Sequence, residues 1–94
     1  MEKSSGRYSC PEAAYVMINC KMGYELSIAE ELKNLSGIKE VECISGNYDV
    51  IAKIEVESVD SLRDIITFKI RRMEGVWSTT TLMCIGSTTP MIAQ

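Results

Sequence analysis

Two short clusters in this sequence hold residue types able to make strong polar contacts. Gly46-Asn47-Tyr48-Asp49 sets a phenol and a carboxylate close behind a glycine. Glycine lets backbone approach a ligand closely, and a carboxylate is a strong partner for an ammonium group. Thr79 and Thr81 lie two residues apart, so a strand puts both hydroxyls on one face, where they can complete a hydrogen-bonding set. Both clusters also have a plainer reading. Gly-Asn is what a tight turn requires, Tyr48 is of a type that packs, and a threonine run is ordinary strand material.

Other chemistry is thin. Histidine is absent, which removes the commonest general base, the commonest metal ligand and any Ser-His or Cys-His pair. The four cysteines, Cys10, Cys20, Cys43 and Cys84, form no CxxC, so their spacing points neither to zinc nor to a thioredoxin-type pair. No cofactor, no metal and no catalytic residue is expected. Glu30-Glu31 and Glu40/Glu42 fall on solvated faces, and Lys69, Arg71 and Arg72 complement a helix end. Trp77 reads as an interface anchor, and the six dispersed methionines as core or adaptable interface.

The chain's 10 Lys+Arg against 13 Asp+Glu give a net charge of −3, the wrong sign for nucleic acid or an anionic membrane surface. No apolar run approaches the roughly 18 residues of a membrane span, and the N-terminus shows no secretory apolar region. The expectation is a cytoplasmic protein whose cysteines remain thiols and act as small buried hydrophobes. Ninety-four residues make one domain. A chain this small buries only about 60–65% of its unfolded surface, so self-association adds useful stability.

The elements that position the two clusters follow from periodicity. Residues 1–13 read as a loose lead-in, 14–85 as the domain and 86–94, with Gly86 and Pro90, as an irregular tail. Ala14–Lys21 alternates as a central strand, with Ala14, Val16, Ile18 and Cys20 on one face. Tyr24–Leu35 carries Ile28, Leu32 and Leu35 at helical spacing and stops at Ser36-Gly37. Ile38–Ser45 and Tyr48–Val56 form a hairpin around Gly46-Asn47. Ser58 caps a second helix whose stripe is Leu62, Ile65, Ile66, Ile70 and Met73, ended by Gly75. Val76–Ile85 is the last strand. The order predicts an α+β, ferredoxin-like βαββαβ fold, a four-stranded antiparallel sheet with two helices on one face. The other face would be left partly apolar by Tyr15, Met17, Ile51, Trp77 and Met83, and a dimer packed sheet to sheet is the expected consequence.

The runs AYVMINC, LKNLSGIKEVECISG, GNYDVIAKIEV and RRMEGVWSTTTL, with Gly46-x-Tyr48-Asp49 and Gly75-Val76-x-x-Thr79-x-Thr81 in that order, carry a resemblance over residues 14 to about 85. They resemble the C-terminal effector-binding domain of the Lrp/AsnC family of transcriptional regulators, the domain for regulation of amino-acid metabolism. The resemblance implies that a free amino acid binds between dimers that assemble into rings, commonly octamers. It also implies that Gly46, Asn47, Tyr48 and Asp49 contact the amino and carboxylate groups, with Thr79 and Thr81 assisting. The family's regulators carry an N-terminal helix-turn-helix domain and a linker, whereas only about 13 residues precede the first strand here. The chain is thus expected to be an effector and oligomerisation module without a DNA reader. It would act through partners such as full-length regulators, touching neither nucleic acid nor membrane itself. Two rival classes share the pattern. One is a small dimeric enzyme of the antibiotic-monooxygenase kind, which the missing histidine disfavours; the other is a structural assembly partner that binds no effector.

Overall fold

The computed structural model describes residues 12–85. Strand β1 spans Glu12–Cys20, helix α1 Glu25–Lys33, β2 Ile38–Cys43 and β3 Val50–Val56. Helix α2 covers Val59–Asp64 and continues as a π-helical segment over Ile65–Ile70, before β4 at Val76–Met83. The strands lie in the order β2-β3-β1-β4 with every neighbouring pair antiparallel. This is the ferredoxin-like α+β fold. The 86–94 tail and most of the 1–13 lead-in lie outside the described residues, although Glu12 and Ala13 already belong to β1.

Period-2 alternation builds the core. Ala14, Val16 and Ile18 of β1 are fully buried, as are Val50 and Ile54 of β3 beside them, and Ile28 and Leu32 of α1 close over this layer. Leu62 and Ile70 complete it from the second helical element. Fully burying each such aliphatic side chain contributes about 1.5–3 kcal/mol.

Helix α1 is shorter than its apolar spacing predicts. It ends at Lys33, and Leu35 packs on the core from the turn beyond. Ser58 caps α2 as expected, its hydroxyl accepting from the Ser61 amide at 3.1 Å. The stripe beyond Asp64 is not α-helical. The Arg71 amide donates to the Ile66 carbonyl at 2.9 Å, a five-residue step that suits the five-residue interval between Ile65 and Ile70, both turned to the core.

The last strand corrects the expected composition of the open face. Ser78 pairs with Asn19 but Val76 with Cys20, so Trp77 is an extra residue at a register shift. A bulge inverts the alternation beyond it. Thr79 and Thr81 therefore pair with Ile18 and Val16 on the helix-covered side, and Met83 joins them there opposite Ala14 instead of facing outward. The helix-free face holds Tyr15, Met17 and Ile51, as expected, with Leu82 in place of Met83. Trp77 is 71% exposed.

Candidate functional site

The Gly46–Asp49 cluster sits in a six-residue connection, Ile44 to Asp49, longer than the two-residue hairpin its Gly-Asn pair predicts. Gly46 has φ +128°, a conformation that glycine adopts without strain. Gly46 and Asn47 are exposed, and Tyr48 and Asp49 are half-buried. Asp49 fixes this loop to the end of β1. Its amide donates to the Ile18 carbonyl and its carbonyl accepts from the Ile44 amide, both at 2.9 Å. Its carboxylate Oδ2 accepts from the Cys20 amide at 2.9 Å. One carboxylate oxygen is thus committed to backbone, which orients the group.

The opposite flank of the same strand end is held by the turn before β4. The Lys21 amide donates to the Gly75 carbonyl at 2.8 Å, and the Tyr24 hydroxyl donates to Glu74 Oε2 at 3.3 Å. Tyr24 packs closely against Gly75: a Cβ on that glycine would stand 2.5 Å from Tyr24 Cγ. The end of β1 is clamped between two loops, and sequence motifs point to one residue of each, Asp49 and Gly75. The roles of Cys20, Glu25 and Tyr24 are not visible in the sequence, because each depends on a partner 18 to 50 residues away.

Carboxylates lie near Cys20 at this end of β1, where the Lys21 ammonium stands 5.8 Å from the centre of the Tyr24 ring. Burial pushes the Cys20 thiol up, and the carboxylates of Asp49 and Glu25 push it further, with Cys43 contributing. Glu25 is held in place by accepting from the Gly23 amide at 3.0 Å, and the Cys43 thiol reaches the Glu25 carbonyl at 3.9 Å. A fixed pair of carboxylates beside an open loop favours a cationic group such as an ammonium. Of the cysteines, Cys20 is buried, whereas Cys43 is exposed and Cys84 half-buried. Cys10 lies outside the described residues. Among the described residues no His, Cys, Asp or Glu side chains gather in a metal-holding group, and no helix is long and apolar enough to cross a membrane.

The threonines divide. Thr79, opposite Ile18, lies one strand across from the Asp49 end of β1. Thr81, opposite Val16, lies further along, in a groove between α2 and β4 with Arg63, Ile66 and Met83. At roughly 4.8 Å between strands and 3.3 Å per residue, Thr81 and Asp49 stand roughly 14 Å apart, with β1 between them.

Residues 13–91 match the family model described as the Lrp/AsnC ligand binding domain. The homocitrate synthase of Sulfurisphaera tokodaii is 34% identical over 73 residues, which cover 77% of this chain and 16% of the synthase. The chain thus spans about one-sixth of the length of that curated relative. The solved structure of TTHA0845 from Thermus thermophilus superposes with a TM-score of 0.78 at 29% identity, covering 81% of this chain and 95% of that one. The transcriptional regulator NMB0573 of Neisseria meningitidis, solved in complex with L-Met, shares the fold at a TM-score of 0.76 and 8% identity, over 92% of this chain and 57% of that one. With the family model matched over most of its length, the chain belongs to the Lrp/AsnC ligand-binding domain family.

Proposed function

We propose that this protein is a cytoplasmic module that binds a free amino acid and assembles into dimers and larger rings, modulating transcription or amino-acid metabolism through partner proteins. The observation that carries the reading is Asp49. Its carboxylate is oriented by the Cys20 amide at an open loop of glycine, asparagine and tyrosine. Gly46, Asn47, Tyr48 and Asp49 bind the amino acid's polar end, and Thr79 and Thr81, which lie across β1 from them in the same chain, assist from a second copy. The reading is regulatory and not catalytic, in keeping with the family's description as a ligand binding domain. That L-Met is bound in the Neisseria regulator supports an amino acid as the ligand class. Copies of the chain pair through the open sheet face around Tyr15 and Leu82, which leaves the helix layer outward.

Scanning calorimetry against the twenty amino acids tests the reading, since a ligand that binds only the native state raises the melting temperature. A rise with one or a few amino acids is expected. A flat panel would reduce the protein to an assembly module.

A further inference from the structure

The helix layer carries polar groups that the effector loop does not use. Between the C-terminal end of α1 and the π-helical segment lies a hollow of about 420 Å³, lined by Glu31, Asn34, Phe68, Lys69, Arg72 and Met73 among others. Small-molecule sites span about 300–1,000 Å³. A neighbouring hollow shares Asn34, Leu35 and Lys69 with it, so the groove runs on beyond the first cavity. The second helical element closes on three cations, Lys69, Arg71 and Arg72. Any of them serves the helix dipole, yet two line this one hollow. Among the described residues the ion pairs are those of Lys33, Lys53 and Arg63, so Lys69 and Arg72 keep their charge uncommitted. Arg72 is steadied by Phe68, its guanidinium carbon 5.7 Å from the ring centre. Phe68 itself is 55% exposed, an aromatic surface left to water.

We propose that this hollow binds a nucleoside monophosphate. Each part of such a ligand meets a matching group. The phosphate carries about −1.5 to −2 charges near neutral pH. Lys69 and Arg72 balance it, and the planar fork of Arg72 suits two of its oxygens. The Glu31 carboxylate would repel a bare anion but accepts from a ribose hydroxyl. The base lies on Phe68, with half-buried Leu35 and Met73 as an apolar floor. The Asn34 amide both donates to and accepts from the edge of that base. A simple anion leaves Glu31, Asn34 and Phe68 without a role, and a polynucleotide is opposed by the net charge of −3. The site is separate from the effector loop. Glu25, near Cys20, starts α1 and Asn34 ends it, 9 helical residues or about 14 Å away. In a dimer paired through the open sheet face this layer stays outward, and the hollow stays open.

Titration calorimetry on the full chain in about 0.15 M salt tests this. The probes are AMP, GMP, deoxy-AMP lacking the 2′-hydroxyl, adenosine and inorganic phosphate. AMP or GMP should bind with a Kd below about 1 mM, and adenosine and inorganic phosphate each about tenfold more weakly or worse. Lys69→Gln and Arg72→Gln should each weaken AMP by about tenfold or more. Arg71→Gln loses the same charge outside the hollow and should stay within about twofold of wild type. Phe68→Ala should weaken AMP by about tenfold. Wild type should prefer AMP to its deoxy form, and Glu31→Gln should erase that preference. These positions are all exposed, so the variants keep the fold. Asp49→Asn should leave AMP binding unchanged. Absence of binding by either nucleotide, inorganic phosphate as tight as AMP, or an Arg71→Gln loss equal to that of Lys69→Gln would each overturn the proposal. So would a ribose preference that survives in Glu31→Gln, or AMP binding lost in Asp49→Asn. None of these results touches the amino-acid reading, which stands or falls on its own panel.

Discussion

Replacing Asp49 separates its two tasks. Asp49→Ala removes the acceptor of the Cys20 amide, a 2.9 Å part-buried bond at the end of a central strand. Hydrogen bonds to charged groups contribute about 1.5–3 kcal/mol, and an orphaned amide costs about 1–3 kcal/mol. Because Asp49 is only half-buried and water can reach it, the lower part of that range applies, about 1–2 kcal/mol. A residue beside a turn would ordinarily cost less, and the difference is this one long-range bond. In a domain of this size each kcal/mol lowers the melting temperature by about 4–8 °C, so a fall of roughly 5–15 °C is expected. Asp49→Asn keeps a carbonyl oxygen for Cys20 and should fall by less than about 5 °C. Both variants lose the charge that meets an ammonium, so both should bind the effector about ten- to a hundredfold more weakly. Thermal melts and titration calorimetry on the same three samples decide it. An Asp49→Ala melt at the wild-type temperature would refute the strut, and wild-type affinity in Asp49→Asn would move the ligand elsewhere.

The open sheet face should carry the dimer. Leu82→Glu is expected to shift light-scattering mass toward the 10.5 kDa monomer, and an unchanged mass would place the interface on another surface. Gly75→Ala should cost about 2–4 kcal/mol, combining φ +94° with a Cβ forced against Tyr24, whereas Gly46→Ala meets no atom within 4 Å and should cost about 1–2 kcal/mol. Thermal melts showing equal losses would contradict the Tyr24 contact. Because the Cys20 thiol is raised in the folded chain, stability from it is intact below the ordinary thiol value near 8.5 and is lost as pH climbs toward the folded value. Melts from pH 7 to 10 should show an alkaline decline that Cys20→Ala flattens, and an identical decline in both would assign it to other groups. In thiol labelling of the native protein, Cys43 should react well before Cys20.

Much of this fold is written in local pattern. Ala14, Val16 and Ile18 alternate without interruption, and the alternation is enough to name the covered face of β1. Ser58 announces its helix through a bond three residues away. The reading fails where a long-range register decides. Nothing in VWSTTTLM marks Trp77 as surplus, since the shift exists only against Asn19 and Cys20, yet it determines on which side Thr79, Thr81 and Met83 lie. The candidate site is legible in the same partial way. Asp49 stands out by type and motif, but its bond to Cys20 spans 29 positions and leaves no local trace. Ile65 and Ile70 lie on the core as their apolar character predicts, while the five-residue interval that makes their segment π-helical is indistinguishable from an α-helical stripe by spacing alone.

That segment spends more residues per turn than an α-helix does. Removing one of them, with the exposed Phe68 the least costly choice, lets the remainder relax to α geometry while Leu62 and Ile70 keep their seats in the core. Chain length becomes adjustable at this point, where in an ordinary helix a single deletion would swing every later side chain by about 100°. The adjustment falls on Ile66 and Thr67, which form one wall beside Arg63. A change of one residue at this point is thus expected to reshape that wall while leaving the sheet unchanged.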